Sequence, residues 1–399
     1  MRILHILHTS LPFVCGYSIR SDRILSGQRD AGMEVAVVTS AQQPDEASDE
    51  VLDGIPHFRT PGSRLMRSPV RELQLMRALS ERLTGVIDQF EPDIVHAHSP
   101  VLVGLPAYFA AKRRGLPFVY EVRDLWENAS VDRGKFAVGS VPYRAARALE
   151  TWLLRRADAV FTIGETLRDE LQGRAGRDVA IAPNGVDPDA FRPQRPEPEW
   201  QRQWNPAGDQ VIAYIGSFQP YEGLNVLVKA MRLILARRIG VRLLIVGDGP
   251  ERTGLEKLVD DEGLRGHVVF SGRLPHDRVK EIYAVSDLLV YPRIATLTTQ
   301  LTTPLKPLEA LAMQKAVLAS DLPAMRELIS DQETALLFEP GNPTDLTEKA
   351  LELLSDPSLR MRLGSEGRSR VLQERQWSTS IAKYEPVYVH LLTDRAGHR

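Results

Sequence analysis

The sequence predicts an α/β protein made of two doubly wound parallel-sheet domains, and three observations predict it. Short apolar runs alternate with longer amphipathic stretches, the pattern of parallel strands covered on both faces by helices. The alternation stops over 191–208, where Pro193, Pro196, Pro198 and Pro206 break any periodicity, and then restarts. A chain of 399 residues is too long for one ordinary core and suits two.

In the first half, Arg2–Leu7, Glu34–Ser40, Asp93–Ser99, Pro117–Val122, Ala159–Ile163 and Val179–Pro183 read as buried strands. Helical patterns such as Arg71–Phe90, Val101–Arg114 and Tyr143–Arg156 lie between them. The second half repeats the scheme, with strands expected at Val211–Gly216, Val241–Val246, Val268–Phe270, Leu288–Tyr291, Ala316–Ala319 and Ala335–Phe338. From Pro357 onward the chain reads as helical. The expected organisation is a first domain over 1–190, a linker over 191–208, a second domain over 209–375, and a helix over 376–399 that packs back on the first domain. Sheets of this kind bind ligands beyond the carboxyl ends of their strands, so two such edges facing each other predict an interdomain cleft.

Composition narrows the function classes. The chain is 43% hydrophobic and 26% charged, as soluble globular proteins are, and its net charge of -2 points to no nucleic-acid partner. Cys15 is the only cysteine, which excludes an intramolecular disulfide and fits a cytoplasmic location. Ile3–Leu7 is too short for a signal-peptide core, and no apolar run approaches the roughly eighteen residues of a membrane span. Peripheral contact with the inner face of a membrane stays open. Arg59, Arg64, Arg67, Arg71, Arg77 and Arg82 punctuate a stretch rich in Leu and Met. Arg71–Leu83 reads either as a basic amphipathic helix on anionic lipid or as a core-packed helix with a solvated basic face.

Two segments have the form of phosphate-binding turns. Ile212–Gly223 carries Gly216 and Ser217 after a strand, and Leu243–Glu251 carries Gly247, Asp248 and Gly249 in the same place. Glycine permits close backbone approach and a helix start offers free N–H groups to an anion, although each turn taken singly is equally a plain strand-to-helix connection. Thr302–Met313 says more. Lys306 and Glu309 are three apart and share one face near a helix start set by Pro304 and Pro307. The lysine suits a diphosphate and the carboxylate suits a ribose diol; the plain alternative is a surface ion pair.

At these segments the chain resembles glycosyltransferase family 4. The matching runs are Ala182-Pro-Asn184-Gly185-Val-Asp187, Tyr214-Ile-Gly216-Ser217, Val246-Gly247-Asp248-Gly249-Pro250, Ser271-Gly272-Arg273-Leu274, Ser286-Asp287-Leu-Leu-Val-Tyr-Pro292 and Pro307-Leu-Glu309-Ala-Leu-Ala. His96-Ala-His98-Ser-Pro100 and Tyr120-Glu-Val-Arg123-Asp124-Leu-Trp126 agree more loosely. Within the family, Ser10-Leu-Pro12, Gly16-Tyr17-Ser-Ile-Arg20, Tyr221-Glu222-Gly223 and Thr303–Glu309 look like the branch encoded with exosortase-type polysaccharide loci. The resemblance implies the GT-B fold, with two Rossmann-like domains. It also implies a retaining, metal-independent transferase that takes a sugar from a nucleotide-sugar donor to a sugar or lipid-linked acceptor. No cofactor is implied; the nucleotide-sugar is a co-substrate, a UDP-sugar by default.

The site follows residue by residue. His98, Lys306 and Glu309 are the catalytic candidates. His98 is read against the transferred sugar at a strand end, the alternatives being a structural histidine or a role for His96 instead. The donor side is assigned to Gly16, Gly216, Ser217, Gly247, Arg273, Arg293, Gln300, Thr303, Pro304, Leu305, Lys306 and Glu309. Tyr17, Arg123 and Asp124 stand on the acceptor side, although Arg123 and Asp124 equally suit an ordinary ion pair. Two departures matter. Ser217 and Glu222 occupy positions where many members have an Arg and a Lys on the diphosphate. Glu222 is therefore expected to point away, leaving the charge to Lys306, with Arg293 and Arg273 behind it. Glu309 matches the second glutamate of the family signature, whereas the first falls on Leu301, with Gln300 as its expected substitute. Asp187-Pro188-Asp189 reads as a turn, and the sequence spacing shows no His/Cys cluster for a metal. A nucleotide-sugar epimerase of the same fold and a non-catalytic nucleotide-sugar binder are the competing readings.

Overall fold

The computed structural model describes residues 1–43, 48–62 and 70–397. The chain divides into two compact units, Met1–Asn184 with Trp377–Arg399, and Gly185–Gln376.

The strands of the first unit are β1 (Arg2–Leu7), β2 (Glu34–Thr39), β3 (Glu50–Leu52), β4 (Ile55–Arg59), β5 (Ile94–His98), β6 (Phe118–Val122), β7 (Ala159–Thr162) and β8 (Ala180–Ile181). They form one sheet in the order β3-β4-β2-β1-β5-β6-β7-β8, parallel throughout except for the β3–β4 pair. All of β5 and β6 and most of β1 is buried, as expected of parallel strands under helices on both faces. The β3–β4 hairpin is an addition to the expected strands. Asp53 (φ 47°) and Gly54 (φ 77°) form its two-residue turn with left-handed backbone at both positions, the type I′ arrangement that Asp-Gly favours.

The second unit holds β9 (Gln210–Ile215), β10 (Val241–Val246), β11 (Val268–Gly272), β12 (Leu288–Tyr291), β13 (Ala316–Ser320) and β14 (Leu336–Phe338), all parallel, in the order β11-β10-β9-β12-β13-β14. This is the doubly wound order of a dinucleotide-type fold. Its helices follow the 3.6 period. Helix Leu224–Leu235 buries Leu224, Leu227, Val228, Met231 and Ile234 on one side. Helix Pro343–Ser355 starts with Asn342, whose Oδ1 accepts from the N–H groups of Thr344 (3.0 Å) and Asp345 (3.1 Å).

Two boundaries differ from the sequence expectation. The chain passes between units at Asn184–Gly185 rather than after 190, and 191–208 is not a free linker. It contains helix Pro198–Trp204, and Phe191 and Trp200 are buried in the core of the second unit. The prolines masked an element anchored by two aromatics, because Pro198 simply occupies the first helical turn. At the other end, helices Trp377–Ile381 and Tyr384–Gly397 belong to the first unit, where Tyr384 and Tyr388 are fully buried.

Helix Val70–Phe90 spends its apolar face on the core through Leu75, Leu79, Leu83, Val86, Ile87 and Phe90. Arg77 pairs with Glu81, and Arg82 with Asp49. Of the arginine-rich stretch read in the sequence, Arg64 and Arg67 lie outside the described residues. No helix among the described residues is long and apolar enough to cross a membrane.

Candidate functional site

In the second unit the sheet turns back on itself between β9 and β12: the chain leaves β9 towards β10 and leaves β12 towards β13. That switch point is where a doubly wound sheet opens a ligand crevice at its carboxyl edge. Gly216 and Ser217 follow β9, and Pro292 and Arg293 follow β12. Ser217 is exposed and its carbonyl accepts the Tyr214 hydroxyl at 2.9 Å. Gly247, after β10, packs against this turn so closely that a Cβ would lie 1.8 Å from the Gly216 carbonyl oxygen, and its φ is +131°. Only glycine fits there, and the reason visible in the structure is the contact between two loops.

Helix Lys306–Ala312 carries the two central candidates. Lys306 Nζ lies 3.0 Å and 3.3 Å from the Glu309 carboxylate oxygens, and Glu309 Oε2 also accepts the Tyr283 hydroxyl at 2.9 Å. The Tyr291 hydroxyl donates to the Lys306 carbonyl at 3.0 Å and so ties the helix start to the end of β12. Glu309 is 5% exposed, whereas the Lys306 side chain keeps 24% of its surface. The pair therefore offers a fixed acceptor beside a more mobile cation. Thr303 is buried, and Pro304 and Leu305 are half-buried.

The other expected cations behave differently. Arg293 is buried and ion-paired with Glu222 at 3.2 Å, and its Nη1 donates to the Thr302 carbonyl at 3.0 Å. Its charge is matched by the carboxylate that the sequence expected to point away, so Arg293 holds two loops together instead of standing ready for phosphate. Arg273 is largely exposed, 3.9 Å from Asp248. Gln300 is exposed too, and its side-chain amide donates to the Thr296 carbonyl at 3.2 Å. Asp187 accepts from the N–H groups of Asp189 (3.0 Å) and Ala190 (3.1 Å), the hydrogen bonding of a turn.

In the first unit the strand register builds a polar core. His5 on β1 pairs with His96 on β5, and His98 pairs with Glu121 on β6. Glu121, fully buried, accepts from Arg20 Nε (3.1 Å), Arg123 Nε (2.8 Å) and the Tyr384 hydroxyl. Burial alone would raise the Glu121 pKa, but the guanidiniums of Arg20 and Arg123 outweigh it and hold the carboxyl well below its ordinary range. His98 meets His5 through Nε2 at 2.9 Å and Arg123 through Nδ1 at 2.7 Å. His5 Nε2 meets Gln28 at 2.8 Å, and His96 Nδ1 meets the Tyr388 hydroxyl at 2.7 Å.

These facts revise the first-unit expectations. His98 stands at the end of β5, but its ring is sealed from solvent and both nitrogens are engaged. Arg123 is equally internal, donating also to the Tyr17 carbonyl (3.0 Å) and Ser21 (2.8 Å) and lying over the Tyr17 ring. It is a hub beneath the sheet edge rather than a free acceptor contact. The Tyr17 hydroxyl accepts the His8 N–H at 3.1 Å. Asp124 is half-buried beside Ser99, and burial raises its pKa. Gly16, exposed, is the first residue of helix Gly16–Asp30.

Spacing along the chain concealed the histidine cluster, because His5 and His96 meet only through the pairing of β1 with β5. His5, His96 and His98 present ring nitrogens within 4.8 Å of one another. Of those nitrogens only His96 Nε2 lacks a hydrogen-bond partner, and Arg123 borders the group. Burial drives the His5 pKa down to about 4 and that of His98 to about 3, so the rings are neutral at neutral pH. Rings committed to one another and flanked by a guanidinium make a hydrogen-bonded core and a poor cation cage.

Comparison with known proteins agrees with this architecture. Residues 16–185 match the family described as glycosyl transferase 4-like domain, and residues 196–370 match glycosyl transferases group 1. A GDP-mannose-dependent alpha-mannosyltransferase of Mycolicibacterium smegmatis is 28% identical over 398 residues, covering 97% of this chain and 98% of its own. Among solved structures, sucrose-phosphate synthase from Thermosynechococcus elongatus superimposes with a TM-score of 0.82 at 21% identity, covering 98% of this chain and 99% of its own. Anabaena HepE, solved in complex with UDP-glucose, gives 0.74 at 18% identity, covering 97% and 99%. The chain thus joins a glycosyl transferase 4-like domain to a glycosyl transferases group 1 domain, two parallel-sheet α/β units of the GT-B fold: it is a glycosyltransferase.

Proposed function

We propose that the enzyme is retaining and metal-independent, and that it moves a sugar from a nucleotide-sugar donor to a sugar or lipid-linked acceptor in bacterial exopolysaccharide or glycoconjugate assembly. The observation that carries the donor side is the Lys306–Glu309 pair at the switch point of the second unit, with a buried carboxylate and a cation 3.0 Å apart. Glu309 would accept from the ribose hydroxyls while Lys306 turns from it to the diphosphate. The backbone of Gly216, Ser217 and Thr303–Leu305 would complete that cradle. In the reaction, the acceptor oxygen bonds to the anomeric carbon as the sugar–phosphate bond breaks on the same face, and the acceptor proton passes to the departing phosphate oxygen. Such a step needs a stabilised leaving group more than a side-chain base. His98 would act by orienting Arg123. The exosortase-associated branch and the peripheral membrane role rest on the sequence motifs.

The donor is tested with a panel. The mycobacterial relative is named for GDP-mannose and HepE was solved with UDP-glucose, so GDP-mannose and UDP-glucose head it beside other UDP-sugars. Slow release of free nucleotide with one donor, and an acceptor product whose anomeric configuration by NMR equals the donor's, supports the reading. An inverted product removes the retaining mechanism. Conversion of the sugar without release identifies an epimerase, and binding with neither identifies a non-catalytic binder.

A further inference from the structure

Helix Val141–Arg156 buries Ala146, Glu150, Leu153 and Leu154. Its opposite side carries the exposed residues Val141, Arg144, Leu149, Arg155 and Arg156, with Trp152 half-buried among them. There is no carboxylate on that side; the only acid of the helix, Glu150, lies beneath it, where burial and then Glu127 push its pKa up to about 8. A groove of about 580 Å³ runs along this face, lined by Arg144, Arg147, Trp152, Arg155 and Arg156 among others. The Arg156 guanidinium lies 4.4 Å from the centre of the Trp152 ring, and Phe109 of the adjoining helix Val101–Arg113 lies 5.9 Å from the same ring. Phe109 is 45% exposed, Val141 71% and Leu149 41%.

Some neighbouring cations are matched: Lys112 pairs with Asp158, Arg114 with Asp88, and Arg147, which lines the groove, with Glu170. Among the described residues, Arg144, Arg155 and Arg156 have no carboxylate partner; Arg155 donates instead to the Arg174 carbonyl. A cluster of unmatched arginines interleaved with an indole, a phenyl ring and exposed aliphatic groups has the composition of a bilayer-interface surface. The guanidiniums meet anionic headgroups, and the apolar groups enter the acyl boundary.

We infer that the outward face of helix Val141–Arg156, extended by Phe109, is a docking surface for an anionic lipid bilayer. Charge complementarity selects the negative surface. The exposed Val141, Leu149 and Phe109 select lipid over a soluble polyanion, which would gain nothing from them. The face also differs from the one the sequence suggested, since helix Val70–Phe90 has committed its apolar stripe to the core. The inference rests on the lipid-linked part of the proposed function and gives it a surface.

The test is sedimentation of the full chain with vesicles of phosphatidylcholine, with and without phosphatidylglycerol. Binding is expected only with phosphatidylglycerol and should fall with salt. Combining Arg144→Gln, Arg155→Gln and Arg156→Gln should lower partitioning on the order of a hundredfold. The variant Arg144→Gln/Arg156→Gln, which keeps the bond from Arg155 to the Arg174 carbonyl, should give an intermediate loss. Donor hydrolysis in solution should be unchanged in both variants, so that a failed transferase reading and a failed docking reading give different results. Three results overturn the inference: equal binding to pure phosphatidylcholine, wild-type partitioning by the triple variant, or capture of the protein by dextran sulfate but not by vesicles.

Discussion

Replacing Glu121 by Gln removes the negative charge that sits between Arg20 and Arg123 in the polar core of the first unit. The carboxylate is fully buried and sits between Arg20 and Arg123, whose side chains are 3% and 6% exposed. The substitution keeps the shape and one acceptor but leaves two desolvated guanidiniums without a counter-ion. Breaking a buried pair in this way costs about 3–5 kcal/mol. With a urea dependence of about 2 kcal/mol/M, the unfolding midpoint should fall by about 2 M. Adding Arg123→Met to Glu121→Gln should recover part of the loss, because one uncompensated charge goes with it. The pH dependence has a definite sign. The folded carboxyl has a depressed pKa, so its contribution is fully present above the unfolded value of about 4.3 and is lost as pH falls through the lower folded value. The gap between wild type and variant should therefore be the same at pH 7 and pH 5 and narrow only at stronger acidity. Urea titrations followed by far-UV circular dichroism measure it. A Glu121→Gln midpoint equal to wild type would refute the claim that this carboxylate offsets two buried cations.

The neutral histidines add an acid sensitivity that starts higher. In the unfolded chain they take up protons near pH 6.5, whereas folded His5 and His98 wait until about 4 and about 3, so stability should fall as pH drops below 6.5. The slope should reach roughly 1.4 kcal/mol per pH unit for each histidine, and His5→Gln should flatten it in urea titrations between pH 7 and 5. Gly247→Ala should lower the melting temperature and weaken nucleotide binding together, since its Cβ would collide with the Gly216 carbonyl; unaltered melting would contradict that close approach. Lys306→Ala should cut turnover strongly and raise the nucleotide dissociation constant. Glu309→Gln should mainly raise the apparent donor constant through lost ribose contacts, with calorimetry and steady-state kinetics as the readouts.

Much of this was legible because it is local. β1 and β10 are strands because a short, mostly apolar run can be buried in a parallel sheet, five of the six residues in each, and Lys306 and Glu309 meet because residues three apart share a helix face. The β3–β4 hairpin had a local signal as well, Asp53-Gly54 between two short strands, although its brevity hid it. Helix Pro198–Trp204 was hidden for the opposite reason: proline-rich composition outweighed the single apolar turn that Trp200 anchors. Interactions between distant segments left no trace in spacing. Glu222 and Arg293 are 71 positions apart, and nothing along the chain says that one neutralises the other.

The sequence by itself determined the two doubly wound domains, the position of the glycine turns and the Lys306–Glu309 pair, since period, turn chemistry and helix-face geometry act over a few residues. Only the tertiary structure decided that His5, His96, His98, Glu121, Arg20 and Arg123 share one sealed core closed by Tyr384 and Tyr388 of the C-terminal helix. Burial and charge neutralisation depend on which strands lie side by side, and the register between β1, β5 and β6 exists only once the sheet has formed.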